Sequence, residues 1–254
     1  MSDALIVERR GQVHEITINR PEQRNALNEE VRNGLFDAFR AAQEDPTCRV
    51  VIVTGAGDRA FSAGADLKEL AELGITDPGP DFTPRLGRNV QLDKPVIAAV
   101  NGAAYAGGFL LAQMADLCVA STNASFCIAE ARVGRGAPWS TKLAGLLPRR
   151  VYVELLVLAD PISAQRAYEL GFVNRLVEPD ALMGAARELA TRICANAPLT
   201  VAGHLQVVDL AYRMDEHAAE DAANEVFAPI YHSEDAQEGP RAFRERRAPV
   251  WKGR

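Results

Sequence analysis

One stretch constrains this 254-residue chain more than any other: residues 96–116, V-I-A-A-V-N-G-A-A-Y-A-G-G-F-L-L-A-Q-M-A-D. Its first five residues are apolar on both faces, the pattern of a fully buried strand. Asn101-Gly102 breaks the strand. Gly107-Gly108 opens a second apolar run, residues 109–114, which reads as a buried helix. A strand, a turn and a glycine-led helix leave bare backbone N–H groups at the helix N-terminus. Those groups and the helix dipole stabilise negative charge, and glycine lets a ligand approach the backbone closely. The run predicts a site built for something anionic.

The rest of the chain reads as alternating α/β followed by helix. Residues 5–8 and 13–19 alternate around Gly11 as a hairpin, with Ile16 and Ile18 facing the core. A helix is predicted over 28–44, with Asn28 as N-cap and Val31, Leu35, Phe36 and Phe39 as its apolar stripe. Residues 49–54 form a buried strand. Residues 60–70, A-F-S-A-G-A-D-L-K-E-L, form a second small-residue turn, and Asp66 begins an amphipathic helix there. Neither glycine-rich nucleotide signature is present. Residues 74–84, with Gly74, Pro78, Gly79, Pro80 and Pro84, read as an exposed loop. Strands follow at 117–120 and 125–128, and a short helix at 141–147. A helix over 163–170, capped by Ser163 and ended by Gly171, leads to a strand at 172–177. From Asp180 to Ala248 the chain is helical in blocks, divided at Pro198 and Gly239. The expected organisation is an α/β core over 1–178 and a helical region over 179–254. Leu205, Val208, Phe227 and Ile230 of that region need cover from the core or from another subunit.

Composition excludes several classes. A net charge of −6 argues against a general nucleic-acid footprint. The 28–44 helix mixes acids with Arg32 and Arg40 and has no lysine, so it is not a basic stripe. Cys48, Cys118, Cys127 and Cys194 form no C-x-x-C pair and read as buried free thiols in a reducing cytoplasm. His14, His204, His217 and His232 lack zinc-site spacing, so no metal is expected. The first residues lack the apolar core of a secretory signal, and no apolar run reaches the roughly 18 residues of a membrane span.

Two small-residue turns, each delivering a helix N-terminus, can supply two N–H donors to one carbonyl oxygen. That is an oxyanion hole, from which losing one donor costs about 3 kcal/mol of transition-state stabilisation. Ser62 lacks the G-x-S-x-G frame of a serine hydrolase.

The runs R-P-E-Q-R-N-A-L-N (20–28), A-F-S-A-G-A-D-L-K-E-L (60–70) and K-P-V-I-A-A-V-N-G-A-A-Y-A-G-G (94–108) together resemble the enoyl-CoA hydratase/isomerase, or crotonase, family. Residues 124–134, 164–174 and the ending E-R-R-A-P-V-W-K-G-R are similar to it too, so the resemblance covers nearly the whole chain. It implies a crotonase-like (ClpP/crotonase) spiral of β-β-α units whose C-terminal helices build trimers, often paired as hexamers. It implies an acyl-coenzyme A thioester as substrate and no permanently bound cofactor. The thioester oxygen would lie between the N–H groups of Ala65 and Gly107. The coenzyme would lie along the turn Ala63, Ala65, Asp66, Leu67, Lys68 and near Arg24 and Ala26. Glu130 would be the acid/base, with Trp139 shaping the acyl pocket and Arg135 adding charge nearby.

The chain departs from the two-glutamate hydratase pattern at one place. Three residues after Gly107, where those hydratases carry their first glutamate, stands Leu110. One carboxylate suffices to shuttle a proton between α and γ carbons, so the resemblance points to isomerase-type chemistry. A hydratase acting on a specialised substrate, or a non-catalytic coenzyme A-binding or RNA-binding homologue, are the alternatives; the missing lysines argue against RNA. Each site residue also has a plainer reading: Gly107-Gly108 as close helix packing, Glu130 as a strand-end acid, Asp66 as an N-cap, Lys68 as a solvated lysine. Arg24 would pair with Glu22 or Glu29, and Tyr105 and Trp139 would be core aromatics.

Overall fold

The computed structural model describes residues 3–254. The hairpin is β1 (Leu5–Arg10) and β2 (Val13–Ile18), followed by α1 (Glu29–Glu44). Asn28 caps α1, accepting from the Val31 N–H at 3.1 Å. Three similar passages come next. β3 (Val50–Gly55) leads to β4 (Ala60–Ser62) and α2 (Leu67–Glu72). β5 (Val96–Val100) leads to β6 (Ala103–Tyr105) and α3 (Gly107–Met114). β7 (Leu117–Ser121) leads to β8 (Ser125–Cys127) and, through 3-10 turns at Glu130–Val133 and Pro138–Lys142, to α4 (Leu143–Leu146). Then follow α5 (Arg149–Leu158), β9 (Ile162–Ser163), α6 (Ala164–Glu169) and β10 (Arg175–Val177). The chain finishes with α7 (Leu182–Cys194), α8 (Pro198–Arg213), α9 (Glu216–Tyr231) and α10 (Glu234–Glu245).

The strands form two sheets, ordered β1-β2-β3-β5-β7-β10 and β4-β6-β8-β9. Each passage crosses from the larger sheet to the smaller one and advances one strand in both, which is the geometry of a β-β-α spiral. Pairing between passages is parallel throughout. β5 explains itself in this frame. Val96, Ala98 and Val100 enter the main core, while Ile97 and Ala99 enter a second core on the other face with Leu182, Ala186 and Ala190 of α7. A strand covered on both faces must be apolar at every position. Phe172 packs edge-on against Phe109 and Phe126, which are tilted against each other, with centroids 5.1–5.3 Å apart within the main core.

Several sequence expectations need correction. Gly239 does not divide the C-terminal helices. It lies inside α10, and the breaks fall after α8 and α9, where Asp215 and Ser233 cap the next helix. The strand expected over 172–177 is confined to Arg175–Val177, because Phe172 and Val173 are consumed by core packing at the end of α6. The helix expected at 141–147 is a 3-10 turn followed by one α turn. β4 and β6, three residues each, and the whole of α5 were not anticipated. The 74–84 loop is only partly exposed: Thr83 and Pro84 are buried. Phe82 lies beneath the Arg32 guanidinium at 3.8 Å, and Arg32 is itself paired with Glu69 at 2.6 Å. No helix among the described residues is long and apolar enough to cross a membrane, and no cluster of three or more His, Cys, Asp or Glu is arranged for a metal.

Candidate active site

The two small-residue turns meet because the strands that feed them are neighbours. β4 and β6 pair in parallel, with Ala60 opposite Ala103 and Ser62 opposite Ala104. Both chains therefore leave the small sheet at the same edge. Gly64 has φ +92°, and a Cβ there would come within 2.8–2.9 Å of Ala106 Cβ, Gly107 N and the Tyr105 carbonyl. Only glycine allows that approach. A Cβ on Gly108 would overlap the Ser62 carbonyl. Ala106, between β6 and α3, adopts φ 49° and ψ −118°, a conformation costing an L residue about 1–3 kcal/mol and characteristic of functional turns. It sets Gly107 against the first turn, where a Cβ built on it would stand 3.6 Å from Ala65 N. Neither the Ala65 N–H nor the Gly107 N–H donates to a protein acceptor among the described residues.

The 20–28 run is the buttress of the first turn. The Leu27 N–H donates to the Gly64 carbonyl at 2.8 Å, and the Ala63 N–H to the Arg24 carbonyl at 3.0 Å. The Arg20 guanidinium bonds both the Ala26 carbonyl and Asp66, at 2.7 and 3.0 Å. Asn25, fully buried, ties Ala56 and Ala60 through its amide. Asp66 caps α2 by accepting from the Lys68 and Glu69 N–H groups. Burial pushes its carboxyl up, but the Arg20 pair and these N–H bonds outweigh it and hold the group below its ordinary range. Asp66 is thus the N-cap of its plainer reading.

One cavity of about 670 Å³ opens at these turns. Ala63, Ala65, Leu67, Gly107, Leu110, Glu130 and Trp139, all anticipated from the sequence, line it. Arg24, Ala26, Asp66 and Lys68 do not. The Arg24 side chain makes no ion pair with Glu22 or Glu29 among the described residues; it is the Arg24 backbone carbonyl that holds Ala63.

Glu130 begins the 3-10 turn after β8. The Trp139 indole N–H donates to its Oε1 at 2.9 Å, and its Oε2 is buried with no partner. Burial pushes the carboxyl above its ordinary value, and its backbone and Trp139 hydrogen bonds offset only part of that. An upward shift from burial is a property that groups exchanging protons in active sites share. Trp139 is not a plain core aromatic. It packs against Phe109 with centroids 6.4 Å apart, and its carbonyl accepts from Gln113 of α3 at 2.7 Å. Leu110, also on α3, is buried at 5 % exposure where it lines the cavity. The cavity is also lined by residues that the sequence did not single out: Asp77, Arg85 and Arg88, on the strap between α2 and β5. Asp77 is occupied in the strap's own turn, accepting from the Gly79 N–H at 2.9 Å. The R-L-G-R-N run at 85–89 was the available signal for the arginines.

Two neighbouring unpaired N–H groups, a half-buried carboxyl and an apolar cavity together can stabilise an enolate and move a proton to or from it. Residues 8–254 match the family model for enoyl-CoA hydratase/isomerase. The chain belongs to the enoyl-CoA hydratase/isomerase family. Over its whole length it is 40% identical to carnitinyl-CoA dehydratases of Salmonella typhi and Citrobacter koseri, each also covered completely. Among solved structures, it superposes on an enoyl-CoA hydratase from Mycobacterium tuberculosis with a TM-score of 0.91 at 37% identity, both chains fully covered. An enoyl-CoA hydratase from Bacillus anthracis gives 0.92 at 32%, covering 99% of this chain and 100% of that one. The fold is therefore the crotonase spiral, and the protein is an acyl-CoA-processing enzyme of the hydratase/isomerase type.

Proposed function

We propose that the enzyme shifts the double bond of a 3-enoyl-CoA into conjugation with the thioester, using Glu130 as the one acting carboxylate. The thioester oxygen accepts hydrogen bonds from the Ala65 and Gly107 N–H groups. The Glu130 carboxylate takes a proton from the α carbon, the resulting dienolate spreads its charge onto the thioester oxygen, and the Glu130 carboxyl returns a proton at the γ carbon. No atom is gained or lost. The coenzyme follows the turn Ala63, Ala65, Leu67, Lys68 past Arg24, Ala26 and Asp66, and Leu110 and Trp139 bound the acyl group.

The observation that carries this reading is the pairing of Glu130 with Leu110. Glu130 has a free buried oxygen and a raised carboxyl, while the cavity position on the α3 turn is filled by leucine. Addition of water across the double bond calls on a second carboxylate to hold that water. A second reading is favoured by the 40% identity to carnitinyl-CoA dehydratases: hydration or dehydration of a specialised acyl group through Glu130 alone. The test is the conjugated enoyl-thioester absorbance with a 3-enoyl-CoA and, separately, a 2-enoyl-CoA. Gain from the first without loss from the second supports the isomerase. Rapid loss from the second, with 3-hydroxyacyl-CoA formed, refutes it in favour of hydration.

The C-terminal region over 179–254 is proposed to assemble a homotrimer or a dimer of trimers. Support comes from the exposed Val208, Tyr212, Tyr231 and Phe243 on α8, α9 and α10, apolar area that a neighbouring subunit would cover. Four free cysteines support a reducing, cytoplasmic location.

A further inference from the structure

The cavity holds more positive charge than proton transfer uses. Arg85 and Arg88 face it from the strap, and Arg135 faces it from the segment that begins with Glu130. Arg135 donates to the Ile75 carbonyl at 3.2 Å, which joins the Glu130 segment to the strap, and its own N–H donates to the Glu130 carbonyl at 3.0 Å. None of the three guanidinium groups forms an ion pair among the described residues. Arg85 Nε is buried with no acceptor at all. Burial, and then the charge of Arg88, hold Arg85 below the ordinary arginine range; Asp81 opposes this only in part. Asp81 is itself engaged by Asn89 at 3.2 Å. Buried polar groups in native proteins find partners, and a guanidinium fork is shaped for a carboxylate. Leu67, Leu70, Phe82, Leu110 and Trp139 give the same cavity its apolar wall, and Asp77 and Glu130 are the acids that line it. Phe82 of the strap stacks under the Arg32 guanidinium at 3.8 Å, which ties the strap to α1.

We infer that the acyl group carries a carboxylate at the end remote from the thioester, and that Arg85, with Arg88 and Arg135, receives it. The inference deepens the proposed function, since it rests on the acyl group entering this cavity from the Ala65 and Gly107 donors. Arginines in such a cavity are open to one other anion of the same ligand, the phosphates of coenzyme A, and the experiment separates the two.

Saturated acyl-CoAs, which cannot react, are titrated calorimetrically into the full-length protein. Carboxyl-ended chains of increasing length are compared with methyl-ended and trimethylammonium-ended chains of matched length, and with free coenzyme A. The expected result is a preference of about tenfold to a hundredfold for the carboxyl-ended chain at its best length, with the trimethylammonium chain weakest. Arg85→Met and, independently, Arg88→Met each reduce that preference, so a folding defect in one leaves the other as the test. Absence of a carboxyl preference at every length overturns the inference. So does a loss of free coenzyme A affinity in Arg85→Met as large as the loss for the carboxyl-ended chain, because it assigns the guanidinium to the phosphates. The ligands carry no double bond, so the outcome is independent of Glu130. Selective binding without isomerisation refutes the proposed reaction alone, and isomerisation without selective binding refutes this inference alone.

Discussion

Trp139→Phe isolates one hydrogen bond at the centre of the proposed mechanism. Phenylalanine keeps a ring facing Phe109 but removes the indole N–H that reaches Glu130 Oε1 at 2.9 Å. That bond favours the carboxylate, so its loss raises a carboxyl that burial has already pushed up. A hydrogen bond to a charged group is worth about 1.5–3 kcal/mol, and 1.36 kcal/mol corresponds to about one pKa unit. Glu130 is only partly shielded from water, which screens the interaction toward the lower end. The expected displacement is therefore upward, and where the carboxyl form dominates the carboxylate becomes about tenfold scarcer. Because the carboxylate form starts the reaction, the acidic limb of kcat/KM moves to higher pH, and well below both limbs the variant is about tenfold slower than wild type. The assay is the initial rate of conjugation of a 3-enoyl-CoA from mildly acidic to mildly alkaline pH, with Glu130→Gln as the variant that has no turnover and hence no limb. A limb that moves to lower pH, or turnover with the same limb in Glu130→Gln, refutes the assignment of Glu130 as the titrating base. A lower rate at all pH values without displacement reduces Trp139 to a packing residue.

Leu110→Glu supplies the carboxylate that the α3 turn lacks. It loses about 2 kcal/mol of leucine burial, read as a lower melting temperature, and is expected to raise hydration of a 2-enoyl-CoA about tenfold or more over wild type. Gly64→Ala forces a side chain into a φ of +92° and against Gly107 N at 2.9 Å. The backbone alone costs about 1–3 kcal/mol, measured by urea unfolding, and parting the two donors lowers kcat/KM about a hundredfold. Arg187→Met removes two 2.7 Å bonds from the buried Glu15, leaving Arg10 as its partner. At neutral pH this costs about 2 kcal/mol, less than breaking a fully buried pair because Arg187 is half exposed. Burial pushes Glu15 up, but Arg187 and Arg10 together bring it below its ordinary range. Its contribution is thus present above the unfolded carboxyl range and lost as pH falls through the folded value, so the gap between variant and wild type closes in acid. A gap that widens in acid contradicts the sign.

The parts of the fold that were legible are those where local pattern and tertiary demand agree. β5 reads as a two-face buried strand because α7 covers its second face. Asn28, Asp66 and Ser163 read as caps because each side chain does accept from its own helix. β4 and β6 were missed because three-residue strands, Ala-Phe-Ser and Ala-Ala-Tyr, are too short to carry a period, and their sheet exists only through pairing across the chain. Gly239 misled because a glycine inside α10 has room beside Trp251 and no turn to make. At the site, the two turns and Glu130 were visible in the motifs. The bond from Trp139 was not, since nothing in a nine-residue separation says that the indole folds back. Arg85 and Arg88 escaped notice because isolated arginines in a loop are ordinarily solvated, and only the strap's docking turns them inward.

That strap, from the end of α2 to β5, has a consequence for how such an enzyme diversifies. Ala65 follows β4, Gly107 opens α3 just after β6, and Glu130 follows β8, so all three sit where the chain leaves a strand of the small sheet. The strap contributes no strand to either sheet. Its sequence can be exchanged without changing the pairing of any strand, provided the core contact of Val90 and the ring of Phe82 are kept. Under the proposed function, the strap is therefore the part of the cavity wall freest to vary, and a change of acyl preference need not touch the segments that carry Ala65, Gly107 and Glu130.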